Sequence, residues 1–261
     1  MKKCLWVFGL LCILYACNKN QHQQTDQEKP LADAQLLSIK QLGFPPATAR
    51  KQDSGDLVDN DIYLSKSFLA DTPVQNRLRV ADGKKYSTFN TLEMPRTVMV
   101  SCALMPADFV RAVDTMINRY NKLNLNLKFR RVTNDGFIDV KPNYTLRDNT
   151  PAYAGFSDGF GNPYREINIS MKLYNSLSLV PWGAILQHEV GHCIGLRHTD
   201  YMDRSYNCSG SAIDEGTAGV GAVSIPGRPS NPNELSFMLS SFSGNTSLPF
   251  NENDKKALTY L

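Results

Sequence analysis

Several absences narrow this chain before any motif is read. Neither sign of charge dominates, with 28 Lys and Arg against 25 Asp and Glu, a net +3 at neutral pH. No basic stripe and no Gly-rich phosphate loop accompany that balance, so nucleic acid is not an expected partner. Past its first residues the chain has no apolar run near the ~20 residues that cross a bilayer. There is no internal repeat of the kind that builds solenoids. Cysteine is missing between Cys17 and Cys102, which excludes any thiol from that stretch as a metal ligand. Histidine is scarce, four in 261 residues, so the positions of those four carry weight.

The first residues read as an export signal. Lys2 and Lys3 precede an apolar stretch from Leu5 to Tyr15, too short to span a membrane. Leu14, Tyr15, Ala16 and Cys17 then match a bacterial lipobox, in which the cysteine is lipidated and becomes the mature N-terminus. The expectation is a signal peptide over 1–16 and a lipid anchor at Cys17, several acyl chains giving durable attachment. The alternative is a plain secretory signal with an incidental cysteine. The anchored reading places the protein at a bacterial outer membrane or cell surface. Residues 17–31, polar and glutamine-rich, form the expected disordered tether.

Three of the four histidines stand together. His188, Glu189, Val190, Gly191, His192, Cys193, Ile194, Gly195, Leu196, Arg197 and His198 spell HExxHxxGxxH. Two imidazoles four residues apart share one helix face and can reach one metal ion. His198 lies six residues beyond His192, roughly 600° of rotation and about 9 Å of rise in an unbroken helix. Its ring would then point away, so the chain must leave the helix between them. Gly195 permits that break, since glycine accepts the positive φ of a helix C-cap. Three neutral imidazoles leave zinc an open position, the pattern of a catalytic site. Glu189, about 100° around the helix from His188, is aimed beside the metal as the general base toward a zinc-held water. The reaction class expected is hydrolysis of peptide bonds.

The motif resembles the zinc signature of metzincin metallopeptidases. Ser236, Phe237, Met238 and Leu239 look like their methionine turn, Met238 giving an apolar floor under the metal. His198, Thr199 and Asp200, the Gly-rich stretch beyond, and the ending from Pro249 to Leu261 are similar to the bacterial HEIGH metallopeptidases, peptidase family M57. Here that motif is HEVGH, one β-branched residue replacing another. The resemblance implies a zinc-dependent endopeptidase with one catalytic Zn2+, acting on protein or peptide substrates. A non-catalytic surface binding lipoprotein on the same scaffold is the alternative, and the retained Glu189 argues against it. The resemblance also extends to a Cys193/Cys208 pair. A bridge there would staple the following loop to the zinc helix, though three cysteines outside the first 17 residues leave other pairings open. Asp200 is a candidate to orient a ligand imidazole, and Tyr201 to polarise a substrate carbonyl. Asp158 to Asn162 is a weaker candidate for calcium.

The rest of the chain fits an α+β fold, monomeric, with a metzincin-like catalytic domain over 93–261. Residues 32–92 are the expected N-terminal extension or pro-segment: helical spacing from Ala32 to Phe44, strand-like residues from Asp56 to Leu69. The segment has no cysteine, so latency through a thiol from it is excluded, and an aspartate from it, Asp56, Asp59 or Asp61, is a candidate to block the site by reaching the zinc. Strands are expected over Thr97–Ser101, Leu127–Val132, Phe137–Val140, Ala152–Phe156 and Glu166–Ser170. Long helices follow Pro106 and Pro181. The result is a twisted mixed five-stranded sheet beside a zinc cleft, then a loop-rich C-terminal subdomain closed by a short helix from about Asn253. Ala152–Phe156 is the expected edge strand, open to an extended peptide by strand addition.

Overall fold

The structure, a computed structural model, describes residues 30–52, 54–71, 86–87, 92–146, 149–176, 179–200, 223–224, 235–240 and 248–261. The signal peptide, Cys17, Tyr201 and Cys208 lie outside the described residues.

Four strands of the central sheet run parallel to one another. Strand β5 (Arg96–Ser101) buries Val98 and Val100 while Thr97 faces out, the period-two pattern of a pleated strand. It pairs in parallel with β6 (Leu127–Val132) on one side and β7 (Ile138–Asn143) on the other. A parallel neighbour requires a crossover, and α3 (Val110–Asn121) supplies it between β5 and β6. Ala112, Val113, Met116, Ile117 and Tyr120 are buried, a spacing that places all five on one helical stripe. Strand β7 continues in parallel to β9 (Glu166–Ser170), and β9 pairs antiparallel with β8 (Ala152–Ala154).

These five strands are the sheet expected from the sequence. Three more extend it. Strands β1 (Arg50–Gln52), β2 (Gly55–Val58) and β3 (Ile62–Ser65) form an antiparallel meander, and β3 lies parallel to β8. The order is β1-β2-β3-β8-β9-β7-β5-β6. Strand β8 is therefore interior, not the free edge expected for it. The Ala154 N–H donates to Asp61 C=O at 3.0 Å, so this backbone donor is already taken.

Helix α5 (Leu179–Cys193) packs against α3. Gly183 permits the close approach, since a β-carbon there would stand 3.0 Å from Thr115 Cγ2. Trp182, Ile185, Leu186, Val190 and Cys193 from α5 join the α3 stripe and the sheet in the main apolar core. Burying each large apolar side chain stabilises the fold by about 1.5–3 kcal/mol. Gln187 anchors α5 further: Arg119 donates to its Oε1 at 3.0 Å, the Tyr120 hydroxyl donates to its carbonyl at 2.8 Å, and its Nε2 donates to the Leu248 carbonyl at 3.1 Å.

Residues 32–92, read from sequence as an extension, supply α1 (Asp33–Gln41), the β1–β3 meander and α2 (Lys66–Asp71). Short α4 (Met171–Tyr174) follows β9, and the two-residue strands β4 (Tyr86–Ser87) and β10 (Val223–Ser224) pair with each other. The last helix, α6 (Glu252–Tyr260), begins at a capping box: the Asn251 side chain accepts from Asp254 N–H, and the Asp254 carboxylate from Asn251 N–H. No described helix is long and apolar enough to cross a membrane.

Candidate metal centre

Helix α5 ends in a Schellman motif. Leu196 N–H donates to Gly191 C=O at 2.8 Å and Gly195 N–H to His192 C=O at 2.9 Å, with Gly195 at φ 103°. This is the break that the spacing of His198 required. Past it the chain reverses, and His198 comes back to His188 and His192.

The three rings converge. His188 Nε2 lies 3.1 Å from His192 Nε2 and 3.3 Å from His198 Nε2. Each ring spends its other nitrogen on an oxygen. His188 Nδ1 bonds the Phe237 carbonyl at 2.8 Å, His192 Nδ1 the Leu196 carbonyl at 2.8 Å, and His198 Nδ1 the Asp59 Oδ2 at 2.9 Å. Oxygens of this kind only accept, so Nδ1 carries the proton in all three and each Nε2 of a neutral ring presents a bare lone pair. Three lone pairs held this close repel unless a cation sits between them. Tetrahedral ligands at Zn–N distances of 2.0–2.1 Å stand about 3.3–3.4 Å apart, close to the spacing found. The donor set fits a metal ion.

A carboxylate completes the cluster. Asp61 Oδ2 lies 3.3 Å from His188 Nε2, and Asp61 Oδ1 lies 3.2 Å from His198 Nε2 and 3.9 Å from His192 Nε2. The four donor atoms fall within 4.8 Å of one another. Of the three aspartates considered from sequence, Asp61 faces the lone pairs and Asp59 orients His198. Asp56 does neither, and its Oδ2 accepts from Gln35.

Charge balance in the ion-free cluster follows from burial. Burial opposes a charge on Asp61, but His198 and His188 beside it outweigh burial and hold its carboxyl well below the usual range. Burial likewise opposes protonation of His198, which Asp61 and Asp59 overcome, raising it. His192, buried and beside two other rings, is pushed down. Glu189 is pushed up, first by burial and then by the Asp61 charge. Its Oε2 is buried with no hydrogen-bond partner, a costly state for a carboxylate unless another charge compensates.

The floor of the site comes from 235–240. Met238 is buried, and a β-carbon on Gly191 would meet its Sδ at 2.3 Å. That packing accounts for the glycine in the motif, a role not read from sequence. Phe237 holds His188 through its carbonyl, while the Met238 carbonyl accepts from Thr199 N–H at 2.8 Å. The turn is tied down from behind by Asp254 of α6, which accepts from Ser236 Oγ at 2.9 Å.

Two expectations are corrected. Asp200 does not touch an imidazole: its carboxylate accepts from Ser240 N–H at 2.9 Å and Ser240 Oγ at 2.6 Å. It braces the methionine turn instead, because the tight return after His198 aims it at the turn. Cys193 is a free thiol packed in the main core, so the expected Cys193–Cys208 bridge is not formed. The inward face of α5 carries it away from solvent. At the loop considered for calcium, Asp158 Oδ1 accepts from Phe160 N–H and Asn162 N–H, and Arg96 donates to Gly161 C=O and Asn162 Oδ1. A guanidinium already supplies the positive charge there.

Among solved structures, the chain is similar to two described as "Structure of myroilysin" and "Crystal structure of myroilysin", each at 14% identity. The first aligns over 67% of this chain and 96% of that one with a TM-score of 0.45, the second over 65% and 84% with 0.40. No curated protein matches. The profile of one family, described as a dual-action HEIGH metallo-peptidase, matches residues 58–261. That range holds every donor of the site, and the chain belongs to the HEIGH metallopeptidase family, M57.

Proposed function

We propose that this metallopeptidase is a zinc-dependent endopeptidase of the metzincin type, with Glu189 as its general base. The observation that carries the reading is the convergence of three Nε2 lone pairs, each fixed by an acceptor on Nδ1, beside a buried carboxylate that makes no hydrogen bond through Oε2. His188, His192 and His198 would hold the ion, which when bound supplies a Lewis acid and an acidified water. Glu189 takes a proton from the attacking water and delivers it to the leaving amine nitrogen as the C–N bond breaks. The products are a carboxylate and an amine. Met238 and Phe237 keep water from the underside of the rings, and the Nδ1 acceptors keep the tautomers fixed. Protein or peptide substrates fit this chemistry. Attachment through lipid on Cys17, at an outer membrane or cell surface, completes the reading; fatty-acid probe incorporation should vanish in Cys17→Ala.

The test is casein hydrolysis by wild type and Glu189→Gln, each with and without a chelator. Wild-type hydrolysis should stop with chelator. The variant should bind zinc at the same stoichiometry yet hydrolyse about 10²-fold or more slowly. Equal rates in the two would refute the assignment of the base.

A further inference from the structure

The second face of the sheet carries a groove that the metal chemistry does not use. In β8 and β9, Ala152, Ala154, Ile167 and Ile169 point into the main core with α5. Alternation sends Tyr153, Glu166 and Asn168 to the opposite face. Strand pairing then sets neighbours on that face, with Asn168 across from Tyr153 on one side and from Lys141 on the other. Tyr63 of β3 and Tyr164, just before β9, join them, and a cavity of about 650 Å³ opens over these side chains. Sites for small ligands span about 300–1,000 Å³, so a short oligomer has room here.

The floor of the groove is aromatic. Tyr63 stacks on Tyr153 with ring centroids 5.6 Å apart and planes at 30°, and meets Tyr164 at 6.2 Å. Two glycines let these rings lie close on the backbone. A β-carbon on Gly55 would stand 2.7 Å from Tyr63 Cζ, and one on Gly155 would stand 2.7 Å from Tyr164 Cε2. Two of the phenols are fixed by neighbours: the Tyr63 hydroxyl shares a hydrogen bond with Ser54 Oγ at 2.9 Å, and the Tyr153 hydroxyl accepts from Asn143 Nδ2 at 3.1 Å. The rim still has polar groups to spare. The side chains of Gln52 and Asn168 and the Tyr164 hydroxyl line the cavity and make no hydrogen bond among the described residues.

Charge and backbone both narrow the ligand. Lys66 and Glu166 give the lining one charge of each sign, and Glu166 is also paired with Lys141. A phosphate or a carboxylate therefore meets no net attraction. Strands β3, β8 and β9 each lie between two paired neighbours, so the backbone under the tyrosines offers no open edge to an extended peptide. What remains is amides and phenols above aromatic rings. An amide both donates and accepts hydrogen bonds, as each hydroxyl of a sugar does. The C–H face of a pyranose ring, in turn, packs on aromatic carbon. We propose that this groove binds a neutral oligosaccharide, with Gln52, Asn168 and the Tyr164 hydroxyl bonding its hydroxyls and the tyrosine floor carrying a ring face. The site lies across the sheet from the helix that holds His188 and His192, and its binding needs no metal.

The experiment is calorimetric titration of the full, zinc-loaded chain with maltotetraose, cellotetraose, chitotetraose and mannotetraose. Each titration is repeated in acetohydroxamate, a small chelating probe that competes for an open metal position. At least one sugar should bind with a Kd of about 1 mM or tighter, equally well with and without acetohydroxamate. Asn168→Ala, Gln52→Ala and Tyr164→Phe should each weaken that binding roughly threefold to tenfold, the loss of one hydrogen bond. Gln52 lies on the edge strand β1, so its variant keeps the test decisive should Asn168→Ala misfold. Failure of every sugar to bind, or binding that no variant alters, would overturn the inference. Binding abolished by acetohydroxamate would also overturn it, placing the sugar at the metal. Capped tetra-alanine, titrated in acetohydroxamate, represents the competing class of ligand. Its binding, weakened by the same variants while no sugar binds, would overturn the saccharide assignment and make the groove a peptide site. None of these outcomes involves Glu189, so the peptidase reading stands or falls separately.

Discussion

Gly191 and Met238 are in contact so close that a single methyl group would not fit between them. A β-carbon on Gly191 would stand 2.3 Å from Met238 Sδ and 3.0 Å from Phe237 Cε2. Helix α5 therefore approaches the turn that carries Phe237 and Met238 through Gly191, between His188 and His192 in the chain.

Replacing Gly191 by Ala should destabilise the fold by about 1–3 kcal/mol through overpacking. A lower urea midpoint is the measurement. Met238→Ala should lose stability on its own, yet the double variant should lose less than the two single losses combined, because the smaller side chain makes room. Strict additivity would mean that the contact is not the source of the effect.

Asp200 supports the same turn from the other side, through two hydrogen bonds to Ser240. Bonds to a charged group contribute about 1.5–3 kcal/mol each at most. Asp200→Ala should lower the unfolding midpoint and weaken zinc retention against a competing chelator, while Asp200→Asn recovers part of both. An Asp200→Ala chain that holds zinc as tightly as wild type would show that the turn does not need this brace.

Cys193 and Cys102 are both buried free thiols, and burial pushes each thiol above its ordinary titration range. The thiolate is the reactive form, so both should resist alkylation. Iodoacetamide should leave them unmodified in the folded chain and label both in denaturant, as read by peptide mass. A Cys193–Cys208-linked peptide in a non-reducing digest would contradict the structure at this point.

How much of this was legible beforehand differs from one element to the next. Strands β6 and β9 fall on their expected residues because their alternation is strong and their ends are marked by turns. Helix α3 starts later than Pro106 suggested, since a 3₁₀ turn over Ala107–Phe109 comes first. The role of Asp200 was misread because a side chain after a tight return can aim at either wall of the site. Asp59 and Asp61 stood with Asp56 as candidates to reach the zinc, and nothing in the sequence chose among the three. Nothing local in Val58 to Ile62 states which edge the hairpin will join.

The sequence alone determined the grip on the metal: an i, i+4 pair on one helix face, a glycine to end that helix, and a third ring returning. Those are short-range geometric consequences of helix pitch and of a residue without a β-carbon, so eleven consecutive letters suffice. Tertiary structure decided what else enters the site. Asp59 meets His198 across 139 positions and Phe237 meets His188 across 49. Both meetings depend on which strand edge and which turn pack against the helix, and that choice belongs to the whole core and its register, not to any single stretch of chain.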